Sequence, residues 1–200
     1  MSADVRVEGR AVRAARDDHI VIALNKPAGV ITTMHDERGR TCVGDLIRPV
    51  TRSDVTSRRS SGASARRMFP VGRLDAQTTG LLLCTSDGEL CRRLSHPSFE
   101  VPRRYRVTVN VAPSDAAQRA LGAERVRSRA HGGVQFEIAL TRGKNREIRR
   151  SCAQFGLRVI ALERVSYGPI ALGDLASGKR RHLTPAEMRA LRSAAKEGPP

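Results

Sequence analysis

From Tyr105 to Val111 the chain alternates apolar and polar side chains in strict turn, Tyr-Arg-Val-Thr-Val-Asn-Val. A period of two sets Tyr105, Val107, Val109 and Val111 on one face of a strand, and Arg106, Thr108 and Asn110 on the other. Val134 to Leu140 alternates in the same way, and Leu157 to Val165 carries a third β-like pattern. Clean alternation predicts antiparallel pairing with one covered face. Two further runs are apolar without alternation. His19-Ile-Val-Ile-Ala-Leu leads into Asn25-Lys26-Pro27-Ala28-Gly29-Val30 and reads as a strand stopped by a Pro/Gly turn. Leu81-Leu82-Leu83 lies between turn residues, with Ser86-Asp87-Gly88 ending it, and reads as a buried strand.

Helical spacing is found in four places. Glu89 to Ser95 puts Leu90, Cys91 and Leu94 on one side and is stopped by His96-Pro97. Residues 114–121 form a helix ended by Gly122. Thr141 to Gly156 is a loop leading into a helix, with Ile148, Cys152 and Phe155 as its expected buried stripe. Thr184-Pro185-Ala186-Glu187 opens the terminal helix with a capping box and a proline in the first turn. Strands outnumber helices, so the fold class is α+β, with a mixed, mainly antiparallel central sheet and flanking helices. At 200 residues and 40% hydrophobic the chain can build one core, divisible into two lobes. Residues 48–67 are rich in Arg and Ser, bury little, and are expected to form a mobile loop, either RNA-touching or a solvated linker. Residues 195–200 are expected to be a flexible tail.

Charge narrows the partners. Lys and Arg number 36 against 20 acidic residues, a net charge of +16, which attracts a phosphate backbone without reading sequence. Most of the excess is Arg, whose planar fork pairs with phosphate and stacks on bases. A basic surface kept for solubility, or a tail for acidic membranes, would have the same composition. No apolar run approaches the roughly 20 residues of a membrane-spanning helix, and the first residues lack the apolar core of a signal peptide. A cytoplasmic monomer with no membrane partner is expected. With no Trp and few aromatic residues, binding cannot rest on a broad platform of stacked rings. Cys42, Cys84, Cys91 and Cys152 have neither Cys-x-x-Cys spacing nor a neighbouring His cluster, so reduced thiols and no metal site are expected.

The chemistry concentrates in two segments. Val71-Gly-Arg-Leu-Asp75-Ala-Gln-Thr-Thr-Gly80 places one carboxylate in a polar turn ahead of the Leu81–Leu83 run, with Arg73 two residues before it. An acid at the edge of a core beside a cation can be desolvated and still ionised, as a nucleophile or general base requires. An isolated Asp of this kind is more often a cap or turn former. In Gly143-Lys144-Asn145-Arg146-Glu-Ile-Arg149-Arg150 three arginines crowd the start of a helix, each opposing the macrodipole at roughly 0.3–1 kcal/mol if exposed. An anion at that terminus removes the conflict, and RNA phosphate and the Asp75 carboxylate are the two candidates.

Gly72-Arg-Leu-Asp75 followed by Thr-x-Gly-Leu-Leu-Leu-x-Thr-x-Asp-Gly88 resembles the signature of the RsuA/RluB-type pseudouridine synthases. Leu24-Asn-Lys-Pro-x-Gly29, the Gly143–Arg150 segment, Arg164 to Leu175 and Gly178 to Leu183 resemble the same family in order, over roughly residues 19–184. The resemblance implies an active-site cleft across the sheet, a catalytic domain over 19–194, and uridine-to-pseudouridine isomerisation in structured RNA, either ribosomal RNA or a ribosomal precursor, without a cofactor. By residue, Asp75 matches the catalytic aspartate, Tyr105 the tyrosine that stacks on the target base, and Arg149 the arginine paired with the carboxylate. Tyr105 is also in phase with three valines, so core packing is its other reading, and a ring capping the core at the cleft floor satisfies both. Arg73, Lys144, Asn145, Arg146 and Arg150, with Arg58 and Arg59 of the Arg/Ser-rich stretch, are candidate RNA contacts.

The chain departs from the family pattern at several points. Too few residues precede His19 for the S4 RNA-binding domain of these synthases, and Val5 to Val12, within the leader 1–18, resembles that domain's closing hairpin. The segment from Gly122 to Val134 is short, Arg103-Arg104 stand where Lys-Thr is commoner, and Ser86 replaces an Asn. Two other functions stay open on the residues. A basic RNA-binding or ribosome-assembly protein with an idle site has the same charge. Acid hydrolysis of a glycosidic bond calls for a second carboxylate, for which Glu147 is the nearest candidate.

Overall fold

The computed structural model describes residues 6–7, 10–11, 19–47, 67–128 and 133–195. The Arg/Ser-rich stretch as far as residue 66, with Arg58 and Arg59, and the tail after Ala195 lie outside the described residues. In chain order the strands are β1 (Arg6–Val7), β2 (Arg10–Ala11), β3 (Val21–Lys26), β4 (Phe69–Pro70), β5 (Thr79–Thr85), β6 (Arg103–Val109), β7 (Glu124–Ser128), β8 (Val134–Leu140), β9 (Val159–Tyr167), β10 (Ile170–Ala171) and β11 (Arg180–His182). The helices are α1 (Val43–Ile47), α2 (Gly88–Ser95), α3 (Asp115–Leu121), α4 (Glu147–Gln154) and α5 (Pro185–Ala194). β1 and β2 pair as a short antiparallel hairpin, where the sequence resembles one.

The main sheet runs β11-β3-β5-β9-β6-β8-β7, with β4 added to β5 and β10 to β9. Its pairings are antiparallel except at the centre, where β5 and β9 run parallel through Thr79 opposite Glu163 and Gly80 opposite Arg164. The sheet is thus two antiparallel halves joined along a short seam, the mixed, mainly antiparallel class that the patterns predict.

Burial explains the two kinds of strand. In β3 and β5 both faces are covered: Val21, Ala23, Leu81 and Leu83 pack with Leu90, Leu94 and Leu191 of α2 and α5. Ile22, Leu24, Leu82 and Cys84 pack on the other side with Val43 and Ile47 of α1. Continuous apolar runs are the result. β6 and β8 cover one face only, where Val107, Val109, Phe136 and Ile138 meet Ala117, Ile148 and Cys152 of α3 and α4. On the opposite face Arg106 bridges Glu163 at 2.8 Å and Glu137 at 3.9 Å, and Arg125 reaches Glu137 at 3.3 Å. Such exposed pairs contribute roughly 0–1 kcal/mol each; they keep an open sheet face wet.

The helix starts follow the expected chemistry. The side chains of Asp87, Ser114 and Thr184 accept backbone N–H groups of α2, α3 and α5, and Glu187 closes the capping box by accepting from the Thr184 nitrogen at 2.8 Å. Two expectations fail. Val111 is 51% exposed, because β6 stops at Val109 and Asn110 turns the chain by exchanging hydrogen bonds with the backbone of Arg158. Phe155 is 40% exposed rather than part of the α4 stripe, since the helix ends at Gln154 and Phe155 is already its non-helical cap. The exposed strand β7 and the short elements α1, β4 and β11 carry no periodic signal, and pairing alone defines the strands among them.

The seam is tight. Gly80 has φ +97, and a Cβ built there would overlap the Arg164 carbonyl oxygen and stand 2.7 Å from its nitrogen. Beside it the buried Arg164 donates from Nε to the Leu81 carbonyl at 2.7 Å and lies 5.0 Å from the Tyr167 ring centre, with Arg103 at 5.1 Å. Tyr167 and Arg103 also donate to the Leu94 carbonyl, and Arg103 to that of Thr141, tying the end of α2 to the loop ahead of α4. Gly80→Ala is therefore expected to cost about 2–5 kcal/mol from left-handed backbone strain plus overpacking. Urea unfolding of the variant checks this, and parent-like stability would show that the seam can widen freely.

Candidate active site

A cleft of about 290 Å³ opens at the seam, between the loop that enters β5, the side chain of Tyr105 on β6, and the start of α4. Asp75, Tyr105, Arg149, Arg73, Lys144, Asn145 and Arg146 all line it. Of the expected RNA contacts, Arg150 is exposed and is not among the lining residues.

The Asp75 loop is held by backbone groups, not by its own side chain. The Thr78 nitrogen donates to the Asp75 carbonyl at 3.0 Å, closing a turn, and the Gly29 nitrogen donates to the Ala76 carbonyl at 2.9 Å. Thr32 clamps the preceding residue, donating from its hydroxyl to the Leu74 carbonyl at 2.7 Å and accepting from the Leu74 nitrogen. Lys26 is buried at the end of β3, and its ammonium donates to the carbonyls of Pro27, Val30 and Ala76 at 2.9, 2.7 and 3.2 Å. Three donors meet three carbonyls, so the turn after β3 and the Asp75 loop move as one body. Burial pulls the Lys26 pKa down to about 8, with the nearby Asp75 charge acting against that shift.

Arg146 caps α4 in the left-handed conformation, φ +47, a costly place for a side chain that is not glycine. The loop is braced by Glu147, whose carboxylate accepts from the Lys144 nitrogen at 2.8 Å. From this position the Arg146 guanidinium stands 3.7 Å from the Asp75 carboxylate, which is 38% exposed. The cation at Asp75 is thus Arg146, not Arg149 as the resemblance implies. A left-handed cap throws its side chain off the helix toward β5, whereas Arg149, one turn in, lies against β9 and donates to the Val159 carbonyl at 3.2 Å. Its Nε is shielded from solvent and without an acceptor. The Asp75 carboxylate, one of the two anions foreseen, stands at this helix start.

Tyr105 is half-buried and packs against the cores of both half-sheets while its side chain lines the cleft. The ring thus caps the core at the cleft, as the core reading and the cleft placement together require. Among the described residues no group of three or more His, Cys, Asp or Glu is placed to hold a metal ion, and no helix among them is long and apolar enough to cross a membrane.

Sequence reasoning passed over Lys26, Thr32 and Thr78. Lys26 had a signal: a cation closing an apolar strand just before a proline is an expensive placement unless its donors are used. Thr78 is 3% exposed, lines the cleft, and has a buried hydroxyl without a partner. In the sequence it stands only as the first Thr of the Thr-x-Gly80 stretch of the motif, with no role assigned to it.

Comparison with known proteins shows the family. The family model described as RNA pseudouridylate synthase matches residues 20–154. An uncharacterized RNA pseudouridine synthase of Mycobacterium tuberculosis is 40% identical over 94% of this chain and 72% of its own length. Ribosomal large subunit pseudouridine synthase B of Bacillus subtilis is 30% identical over 96% of this chain and 80% of its own. A crystal structure of a pseudouridylate synthase superposes with a TM-score of 0.67 at 22% identity, covering 87% of this chain and 74% of that one, which shows a common fold. The chain belongs to the RNA pseudouridylate synthase family and is an RNA pseudouridine synthase.

Proposed function

We propose that this chain isomerises a uridine of ribosomal RNA, in the cytoplasm, as a monomer and without a cofactor, with Asp75 as the reacting carboxylate. The observation that carries this is the cleft itself: the Asp75 carboxylate, a tyrosine ring and a guanidinium 3.7 Å from that carboxylate, all from one chain. Glu147, the other acid of the lining, is engaged as an acceptor of the Lys144 nitrogen at 2.8 Å. A ribosomal target is favoured by the name of the Bacillus subtilis relative and by the net charge of +16. The reaction breaks the bond from N1 to C1′ and joins C5 to C1′, while the C5 hydrogen leaves as a proton and N1 takes one up. No electron or group is added, so the residues of the cleft can supply all of the acid–base work.

The uridine must first leave its stack, at a cost of a few kcal/mol. The Tyr105 ring replaces the lost stacking, worth roughly 1–3 kcal/mol. Asp75 then attacks the sugar or base, or removes a sugar proton. Arg146, 3.7 Å away, holds the carboxylate turned into the cleft by charge-assisted attraction. Arg73, Lys144 and Asn145 at the rim, with Arg149, Arg150, Arg58 and Arg59, position the RNA through its phosphates.

Asp75→Asn is expected to abolish turnover and leave RNA affinity within roughly threefold of the parent, because the amide keeps the shape but cannot act as nucleophile or base. Release of tritium from 5-tritiated uridine in ribosomal RNA measures it; release by the variant ends this assignment. Arg146→Ala should slow the rate at saturating RNA about tenfold, equivalent to about 1.4 kcal/mol. Arg149→Ala should act mainly on affinity. The reverse ranking of the two variants would restore Arg149 as the partner of Asp75.

Lys26 makes activity sensitive to alkali. Its folded pKa of about 8 lies below the ordinary 10.5, so between these values the unfolded chain binds the extra proton, and this group's contribution to stability rises with pH. The neutral amine has one N–H fewer to share among its three carbonyls. Turnover is therefore expected to fall through pH 8 while stability does not. A pH–rate profile beside urea melts at the same pH values checks this, and a flat rate up to pH 9.5 would exclude it.

A further inference from the structure

A second hollow of about 400 Å³ lies between α4 and the start of β9, lined by Arg146, Arg149 and Arg158 together with Ala153, Gly156 and Leu157. Arg146 and Arg149 line both this groove and the cleft, so those two side chains are the wall between them. No carboxylate lines the groove. Arg146 has its carboxylate, Asp75, on the cleft side. Arg149 and Arg158 form no ion pair among the described residues, and an anion in the groove relieves the repulsion among the three guanidinium groups.

Arg158 is built to be a contact. Its backbone is clamped by Asn110, whose side-chain oxygen accepts from the Arg158 nitrogen at 2.8 Å and whose nitrogen donates to the Arg158 carbonyl at 3.1 Å. Its side chain is exposed. Phe155 lies in the same turn, 40% exposed, and Ile160 just beyond it is 58% exposed. In a chain with four Phe, two Tyr and no Trp, a ring left in solvent beside a basic groove is out of place unless something planar covers it.

We propose that this groove holds the phosphodiester of the RNA strand adjoining the nucleotide in the cleft, with Arg158 as its outer phosphate contact and Phe155 stacking on an unpaired neighbouring base. The assignment rests on the reading of the cleft as the uridine site, since the strand must pass over the Arg146–Arg149 wall to join the two. Arg158 and Phe155 are binding residues here and take no part in the chemistry.

The test is fluorescence anisotropy of a labelled single-stranded oligoribonucleotide over a range of KCl concentrations, with the full-length chain. Arg158→Ala should weaken binding about tenfold at low salt and reduce the slope of log affinity against log salt by about 0.7, the value for one phosphate contact on a single strand. Phe155→Ala should weaken binding at least about fivefold with the slope unchanged. Both should form pseudouridine at the parent's rate once RNA saturates. Arg189→Ala, an exposed arginine on α5, controls for the loss of one charge. If Arg158→Ala binds as Arg189→Ala does while the parent is active, the groove assignment is overturned and the function stands. If the parent forms no pseudouridine but RNA binding still depends on Arg158, the function falls and the groove stands.

Discussion

The close approach of two backbones at Gly80 and Arg164 is the constraint on which the rest of the molecule depends. It joins two antiparallel half-sheets by a parallel contact of only two residue pairs. The half-sheet with β3 and β5 carries the Asp75 loop; the half-sheet with β6 and β8 carries Tyr105 and supports α4. A side chain at position 80 would push these apart by pressing on main chain, which has nowhere to go. The active-site cleft is therefore a consequence of the seam, and so is the distance between its carboxylate and its arginine.

Around the seam the polar groups are used as ties. Arg103, Arg164 and Tyr167 form a buried stack whose hydrogen bonds end on backbone carbonyls of β5, α2 and the loop before α4. Lys26 does the same for the turn after β3 and the Asp75 loop. Lys26 and Arg103, each bonded to more than one carbonyl, are desolvated but use their donors, and removing them strands acceptors that cannot reach water; Arg164 keeps one buried nitrogen without a partner. These residues set geometry. The Arg146–Asp75 pair is different in kind: both groups are partly exposed, so its worth to folding is small, and its value is in orienting one carboxylate.

In the proposed reading, the two faces of α4 divide the labour around the RNA. One end of the helix meets the carboxylate in the cleft, and the flank toward β9 forms the basic groove. Arginines that disfavour a free helix start are thereby matched with anions on both sides, one supplied by the protein and one by the proposed substrate strand. The strain of a left-handed Arg146 belongs to the same arrangement.

Much of this was legible in the amino-acid order. The alternation at β6 and β8, the unbroken apolar runs of β3 and β5, and the caps of α2, α3 and α5 are local properties, set by which side chains face water within a few residues. That a carboxylate such as Asp75 could meet the arginine-rich start of α4 was legible too, through motif and charge. What the sequence could not decide was pairing across distance. Arg146 and Arg149 are equally charged and three residues apart, and only the left-handed cap and the Val159 carbonyl determine which one meets Asp75. Strand β7, the outward turn of Phe155 and the clamp of Lys26 on the Ala76 carbonyl likewise depend on neighbours up to 50 residues away. Periodicity and composition thus determined the elements and the class of chemistry, because both follow from local exposure to water. The tertiary structure alone decided which charges meet, because that depends on how the two half-sheets close on each other at Gly80.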